Sequence, residues 1–329
     1  MENRLLEVAG PPALIFMWSS AFIAGIIGVG TAPPMLVLFG RFAIAGVLLI
    51  LVAVATKAVW PRGRVLGHTV IAGLLMQMVQ FGAFYTAMGE HVSAAVISLV
   101  QGLSPVVIAL FAGMLGETVS RIQWLGFGIG GVGVGLAVVD QSSFSLSGLL
   151  LCVVGLAGLS LGTIYQKRFT PAIDPRTGTA IHVAVSAPFA GAIALLGNDF
   201  HITDIGRFAG SLAWMVLINS MAAFLLLNTM LRYWDTTRVG RFFFAIPAVT
   251  TAMAWLVIGE PAHPLTIAGL AVGLLGLVLA SRRPSAQRDS TRAALSYNHF
   301  RDPSGDNGSS RTSPTSSETG RSMRKAPVP

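Results

Sequence analysis

Apolar residues in this chain fall in long unbroken runs, and the polar and charged positions collect between them. Ten runs stand out, at roughly 13–30, 35–55, 69–89, 92–115, 122–139, 147–165, 179–197, 209–231, 238–258 and 265–281. Each approaches the ~20 residues an α-helix needs to cross a bilayer. The pattern predicts an all-α polytopic membrane protein with ten transmembrane helices. The connections are short and leave no room for a soluble domain within the core. Residues 1–12 read as an N-terminal extension. The first run does not read as a cleaved leader, because Arg4 is accompanied by Glu2 and Glu7. From 284 to 329 the chain is rich in Ser, Arg, Pro and Gly and poor in large apolar residues, a composition that predicts a disordered tail.

The runs also repeat. Pro105, Gly116, Glu117, Gly126, Gly130 and Gly133 recur as Pro247, Gly259, Glu260, Gly269, Gly273 and Gly276. The offset is 143 residues from the Gly-Glu pair onward and 142 at the prolines. The expected halves are 13–139 and 147–281, five spans each. Five is odd, so the second copy enters the membrane from the opposite side. That predicts inverted repeats about an axis in the membrane plane, with a working site between them.

Composition and charge refine this picture. Charged residues make up 11% of the chain against about 25% in soluble domains, and the mean hydropathy is +0.70. The net charge of +8 is confined to one set of loops and the tail. Lys57, Arg62 and Arg64, Arg121, Lys167, Arg168 and Arg176, Arg232 and Arg238, then Arg282 and Arg283 alternate with loops carrying only Arg207 beside Asp199 and Asp204. This is topology control and not a nucleic-acid surface, and it predicts both termini in the cytoplasm. The loop Gly89-Glu90-His91 lacks Lys and Arg, whereas its repeat partner holds Arg232 and Arg238, as inversion requires. A single cysteine, Cys152, excludes an internal disulfide. No GxxxxGK[ST] loop is present, so no ATP engine is recognisable.

Leu103-Ser104-Pro105 running to Leu115-Gly116-Glu117, then Gln123-Trp124-Leu125-Gly126, is echoed by Ile246-Pro247 to Ile258-Gly259-Glu260 and Ile267-Ala268-Gly269. These segments resemble the EamA family of the drug/metabolite transporter superfamily over about 13–281. The resemblance implies ten spans as five plus five, secondary transport of a small metabolite across the plasma (inner) membrane, and export; it leaves the substrate open. Small multidrug exporters of that superfamily use a carboxylate inside the first span. Here that span has none, and no Asp or Glu occupies the middle of any run. An anionic or zwitterionic substrate such as an amino acid is therefore favoured over a cationic drug. The expected partners are that small molecule and the bilayer, with no cofactor or metal, and a monomer suffices. Two other classes stand beside this: a membrane-embedded lipid-modifying enzyme, for which only Ser160 and His182 offer chemistry, and a non-transporting scaffold.

Arg41 lies two turns into the second run, where it either binds a substrate carboxylate or phosphate or snorkels to headgroups. Arg241 reads as a snorkelling residue. Gln77 and Gln80 with Tyr85, and Gln101 with Ser104, are expected to line a cavity or to hydrogen-bond between helices. Trp18 is a stacking wall or lipid-facing bulk. Asn219 is a further cavity candidate; Asn228, nine residues on, faces the other way. His182 is a proton relay or a bundle hydrogen-bonder. Pro105 and Pro247 read as mid-span kinks, gating or static. Glu117 and Glu260 are gate contacts or, the favoured reading, caps for the next helix. Gly126/Gly130, Gly131/Gly135 and Gly269/Gly273 form small-xxx-small faces. The G-x-G-x-x-G of Gly128, Gly130 and Gly133 and the G-x-S-x-G around Ser160 sit in apolar spans and read as chance matches.

Overall fold

A computed structural model describes residues 2–280 apart from 106, 109–110, 112–120, 140–145, 199, 235–238, 240–241 and 262. The described residues contain helices and no strands. Six helical runs are long and apolar enough to cross a membrane: Leu6–Val29, Pro34–Ala55, Gly63–Gly89, Leu146–Phe169, Pro175–Leu196 and Ile205–Leu227. Trp124–Ala137, Phe243–Ile258 and Pro264–Gly276 are shorter apolar helices. The expected tail, Glu117, Arg238 and Arg241 lie outside the described residues, as does the Asn228 side chain.

In chain order, α1 is Glu2–Val29 and α2 is Pro34–Ala55. α1 starts well before residue 13 because Glu2-Asn-Arg-Leu-Leu-Glu7 is rich in strong helix formers. The third span is composite: α3 (Gly63–Gly73), a π-helical stretch Leu74–Val79, and α4 (Gln80–Gly89). α5 (Ala94–Gly102) follows, capped by Ser93, whose oxygen accepts from the Val96 N–H at 3.2 Å. Next come α6 (Arg121–Val139), α7 (Leu146–Phe169) and α8 (Pro175–Leu196). Asp174 caps α8 and pairs with Arg176 at 2.7 Å, which holds its carboxyl below the usual range. The eighth span is again composite, α9 (Ile205–Trp214), a π stretch Met215–Ala222, and α10 (Ala223–Tyr233). A 3₁₀ turn Phe243–Ala245, α11 (Ile246–Met253) and a π stretch Ala254–Ile258 precede α12 (Pro264–Ala280).

Small residues decide how these helices meet. A Cβ on Gly133 of α6 would stand 2.6 Å from the Gly269 carbonyl oxygen of α12. One on Gly276 would stand 2.7 Å from the Gly126 carbonyl oxygen. Both backbones are therefore in direct contact, as glycine faces allow. Gly133 meets 269 and 273 while Gly276 meets 126 and 130, so the two helices run antiparallel and the contact is reciprocal. The second expected face differs, since a Cβ on Gly131 or Gly135 meets nothing within 4 Å. α2 and α8 also pack antiparallel, Gly46 on Ala184 and Phe39 on Gly191. Gly155, Gly158 and Gly162 of α7 receive the composite third span, and a Cβ on Gly158 would sit 2.9 Å from the Leu75 oxygen. The glycines around Ser160 thus serve packing; Ser160 is buried inside α7.

Candidate functional site

The two π stretches hold matching places in the chain: Gln77 in one and Ser220 in the other lie 143 residues apart. A π turn opens the helix by one residue and re-aims the side chains around it, and such turns recur at functional sites. Here both border one cavity of about 370 Å³. From the third span it is lined by Met76, Gln77, Gln80 and Phe81; from the eighth by Asn219, Ser220, Ala223 and Phe224, each 143 residues further on. Gln101, Gly102, Ser104 and Pro105 line it too, matched at an offset of 142 by Phe243, Phe244, Ile246 and Pro247. Arg41 of α2 and Val183 of α8 are again 142 apart, and Trp18, Ala21 and Phe22 of α1 complete one side.

Eight of the nine cavity candidates read from the sequence therefore come together: Trp18, Arg41, Gln77, Gln80, Tyr85, Gln101, Ser104 and Asn219. Arg41 is turned into the bundle, only 7% exposed, and does not snorkel outward. One guanidinium nitrogen donates to the Tyr85 hydroxyl at 3.0 Å, and that hydroxyl donates to the Met215 sulfur at 2.9 Å. The Phe81 ring lies 4.6 Å from the guanidinium carbon, a cation–π contact that adds to the inward pull. No carboxylate neutralises Arg41 among the described residues, where the only ion pair is Asp174–Arg176. An arginine carries five N–H donors, so most of its hydrogen-bonding capacity is open to the cavity.

The neighbouring amides are tied to one another and to α1. Gln80 donates to the Gln101 side-chain oxygen at 3.3 Å. The Asn219 amide nitrogen donates to the Met17 carbonyl and, at 3.2 Å, to the Ser20 hydroxyl. Those bonds fix which end of the amide is nitrogen. The Asn219 oxygen is left buried with no partner among the described residues, an acceptor beside the cavity. Trp18 packs edge-on against Phe243 with centroids 4.8 Å apart. It is a wall of the cavity and not lipid-facing bulk.

Other expectations are corrected. His182 does not line the cavity: its face of α8 packs on Gly73 of α3, where a Cβ would come within 2.6 Å of the His182 Cα. Neither proline kinks a continuous helix. α5 ends at Gly102, two residues short of Ser104, and Pro247 falls in the first turn of α11 after the 3₁₀ stretch, where its missing N–H is tolerated. Ser19 donates to the adjacent Ile246 carbonyl at 3.3 Å. Glu260 does not cap the following helix. Gly259, at φ 68°, ends the ninth span in the left-handed conformation glycine favours, and the Glu260 N–H closes back on the Ala254 oxygen at 3.2 Å. The carboxylate then accepts from the Ser93 hydroxyl and the Ala94 N–H at the start of α5. Burial pushes this carboxyl above its ordinary range, partly opposed by those two bonds.

The lining also includes residues the sequence reading passed over: Phe81, Phe224, Phe243 and Phe244. Adding the repeat offset to the polar candidates would have found two of them, since Gln101 leads to Phe243 and its neighbour Gly102 to Phe244. A second cavity of about 1330 Å³ meets the first at Leu49 and Phe224, and extends along α10 to the 59–61 and 169–176 loops. No cluster of three or more His, Cys, Asp or Glu occurs among the described residues.

Comparison with known proteins agrees with this architecture. The sequence profile of the EamA-like transporter family matches residues 13–139 and 146–282. The uncharacterized inner membrane transporter YedA of Escherichia coli K12 is 24% identical over 276 residues, 82% of each chain. A probable amino-acid metabolite efflux pump of Salmonella typhimurium is 24% identical, covering 81% of this chain and 91% of its own. A probable terminal-alkyne amino-acid exporter of Streptantibioticus cattleyicolor is 26% identical over 83% and 93%. One crystal structure shares the fold at a TM-score of 0.60 and 18% identity, over 83% of this chain and 95% of that one. The chain belongs to the EamA-like transporter family and is a multi-pass integral membrane protein.

Proposed function

We propose that this member of the EamA-like transporter family is a secondary transporter. It carries a small anionic or zwitterionic metabolite out of the cytoplasm by alternating access between two inverted five-helix halves, 13–139 and 147–281. It spans the inner (plasma) membrane ten times, with both termini on the cytoplasmic side. The observation that carries the reading is Arg41, a buried cation on a central cavity with no carboxylate partner among the described residues. A charge at membrane depth costs about 2.5–3.5 kcal/mol on insertion scales and is retained where it works. The cavity lining supports the two-half mechanism, because its positions pair at the repeat offsets. The reciprocal antiparallel contact of α6 with α12 is the packing that two copies related by an in-plane two-fold would make. The exporter names of two relatives favour the outward direction and an amino-acid-like substrate.

The test is solute flux. Purified protein in liposomes should exchange labelled amino acids and related carboxylates without ATP. Flux that strictly requires ATP hydrolysis would overturn the secondary-transporter reading.

A further inference from the structure

The cavity is chemically two-sided, and the division follows the repeat. Where the first half offers Arg41, Gln101, Gly102 and Ser104, the matching second-half positions are Val183, Phe243, Phe244 and Ile246. Gln80 is matched by Ala223. The exchange runs the other way at Met76 and Asn219, where the second half holds the polar group. Two copies of one unit thus present unlike walls to the same space. The first is built for a charged, hydrogen-bonding group. The second is aromatic and is held rigid by the edge-on contact of Phe243 with Trp18.

We propose that the cavity takes an amphipathic α-amino acid: its carboxylate on Arg41, its amino group on the Asn219 oxygen, its bulky apolar side chain on the wall of Phe224, Phe243 and Phe244. The inference rests on the transport reading above and adds to it which substrates are accepted and which half selects them. Arg41 and Asn219 are close enough to share one substrate. Arg41 is linked through Tyr85 to Met215, and Asn219 follows Met215 by four residues, about one helical turn or ~6 Å along the span. The Asn219 oxygen is a buried acceptor still lacking a donor among the described residues, and an ammonium supplies one. A dicarboxylate fits poorly, because its second charge would face phenyl rings with no donor. A simple amine fits poorly, because it would meet Arg41 with nothing to neutralise it. A small amino acid fits the polar wall but leaves the aromatic wall uncovered, forgoing the burial that favours binding.

Counterflow in proteoliposomes, with labelled L-phenylalanine and unlabelled competitors, tests this on the full chain. L-Phenylalanine and L-leucine should compete at least ~10-fold better than L-alanine, succinate or phenethylamine, a ratio worth ~1.4 kcal/mol. Phe243→Gln, which gives the second wall the residue at the matching first-half position, should lose that preference for phenylalanine over alanine. Phe243→Leu should keep most of it, and this pair separates a lost apolar surface from a misfolded protein. If alanine or succinate exchanges as well as phenylalanine, transport stands and the amphipathic assignment falls. If phenethylamine competes as well as phenylalanine, the carboxylate contact falls. If Phe243→Gln leaves the preference intact, the second half does not set it. If no amino acid or carboxylate exchanges at all, the assignment and the transport reading beneath it both fail.

Discussion

Arg41 shows how one side chain is held ready inside a membrane. The Tyr85 hydroxyl satisfies one donor, the Phe81 face lies against the cation, and Tyr85 is fixed in turn by Met215. None of these neutralises the charge, so a substrate carboxylate has the strongest interaction to add. Hydrogen bonds to charged groups contribute about 1.5–3 kcal/mol net. Arg41→Ala should therefore raise the half-saturating concentration of a carboxylate substrate by roughly 10- to 100-fold. Removing a buried charge takes away a membrane-insertion cost, so the melting temperature in detergent should not fall sharply. Unchanged uptake kinetics in Arg41→Ala would reject the role. At this scale the polar part of the site was legible, because Gln, Asn, Ser and Arg stand out against an apolar run. Phe224, Phe243 and Phe244 were not. In a bilayer span, phenylalanine suits lipid and cavity equally, so its sequence position carries no contrast. His182 misled for the opposite reason, since a polar ring can also be spent on a helix–helix contact.

At the scale of the element, the glycines are what bring α6 and α12 together. Gly133 touches backbone, which cannot move aside as a side-chain tip can, whereas Gly131 faces open space. Overpacking a tight contact costs about 1–3 kcal/mol even where side chains yield. Gly133→Leu should therefore lower the melting temperature markedly and reduce the folded yield. Gly131→Leu, of identical chemistry two residues away, should be nearly neutral. Equal effects of the two would mean that helix propensity and not contact governs the position. The repeated small residues made one such face readable, but spacing alone could not say that Gly126/Gly130 was buried and Gly131/Gly135 was not. The π stretches at Leu74–Val79 and Met215–Ala222 were invisible for another reason. Both are built from ordinary helix residues, and the extra residue per turn follows from what packs against them: the glycine face of α7 on one, Gly28 of α1 on Ser211 and Met215 at the edge of the other. The prolines gave the place of a break but not its form, because the helix stops before each and resumes with proline in a tolerated position.

For the whole molecule, the repeat and the loop charges together make the strongest claim, since inversion requires equivalent loops to face opposite compartments. The loop before the fourth span contains His91 and no Lys or Arg; the equivalent loop before the ninth begins at Arg232. Sequence made this readable because charge placement acts during insertion, before any packing exists. The cavity depends on packing, so only its repeat symmetry could be anticipated. The chain carries its own control for a direct test: Cys152 is its single cysteine and is fully buried. Burial raises the cost of forming its thiolate, the reactive species, so background labelling should be low. His91→Cys should react with a membrane-impermeant maleimide on intact cells. Arg232→Cys should react only after the membrane is opened. Lys57→Cys should behave like Arg232→Cys, and Arg207→Cys like His91→Cys. Labelling of His91→Cys and Arg232→Cys from the same side would break the inversion, and with it the two-half mechanism. Labelling all four in the reverse sense would keep the inversion and overturn only the assignment of the termini to the cytoplasm.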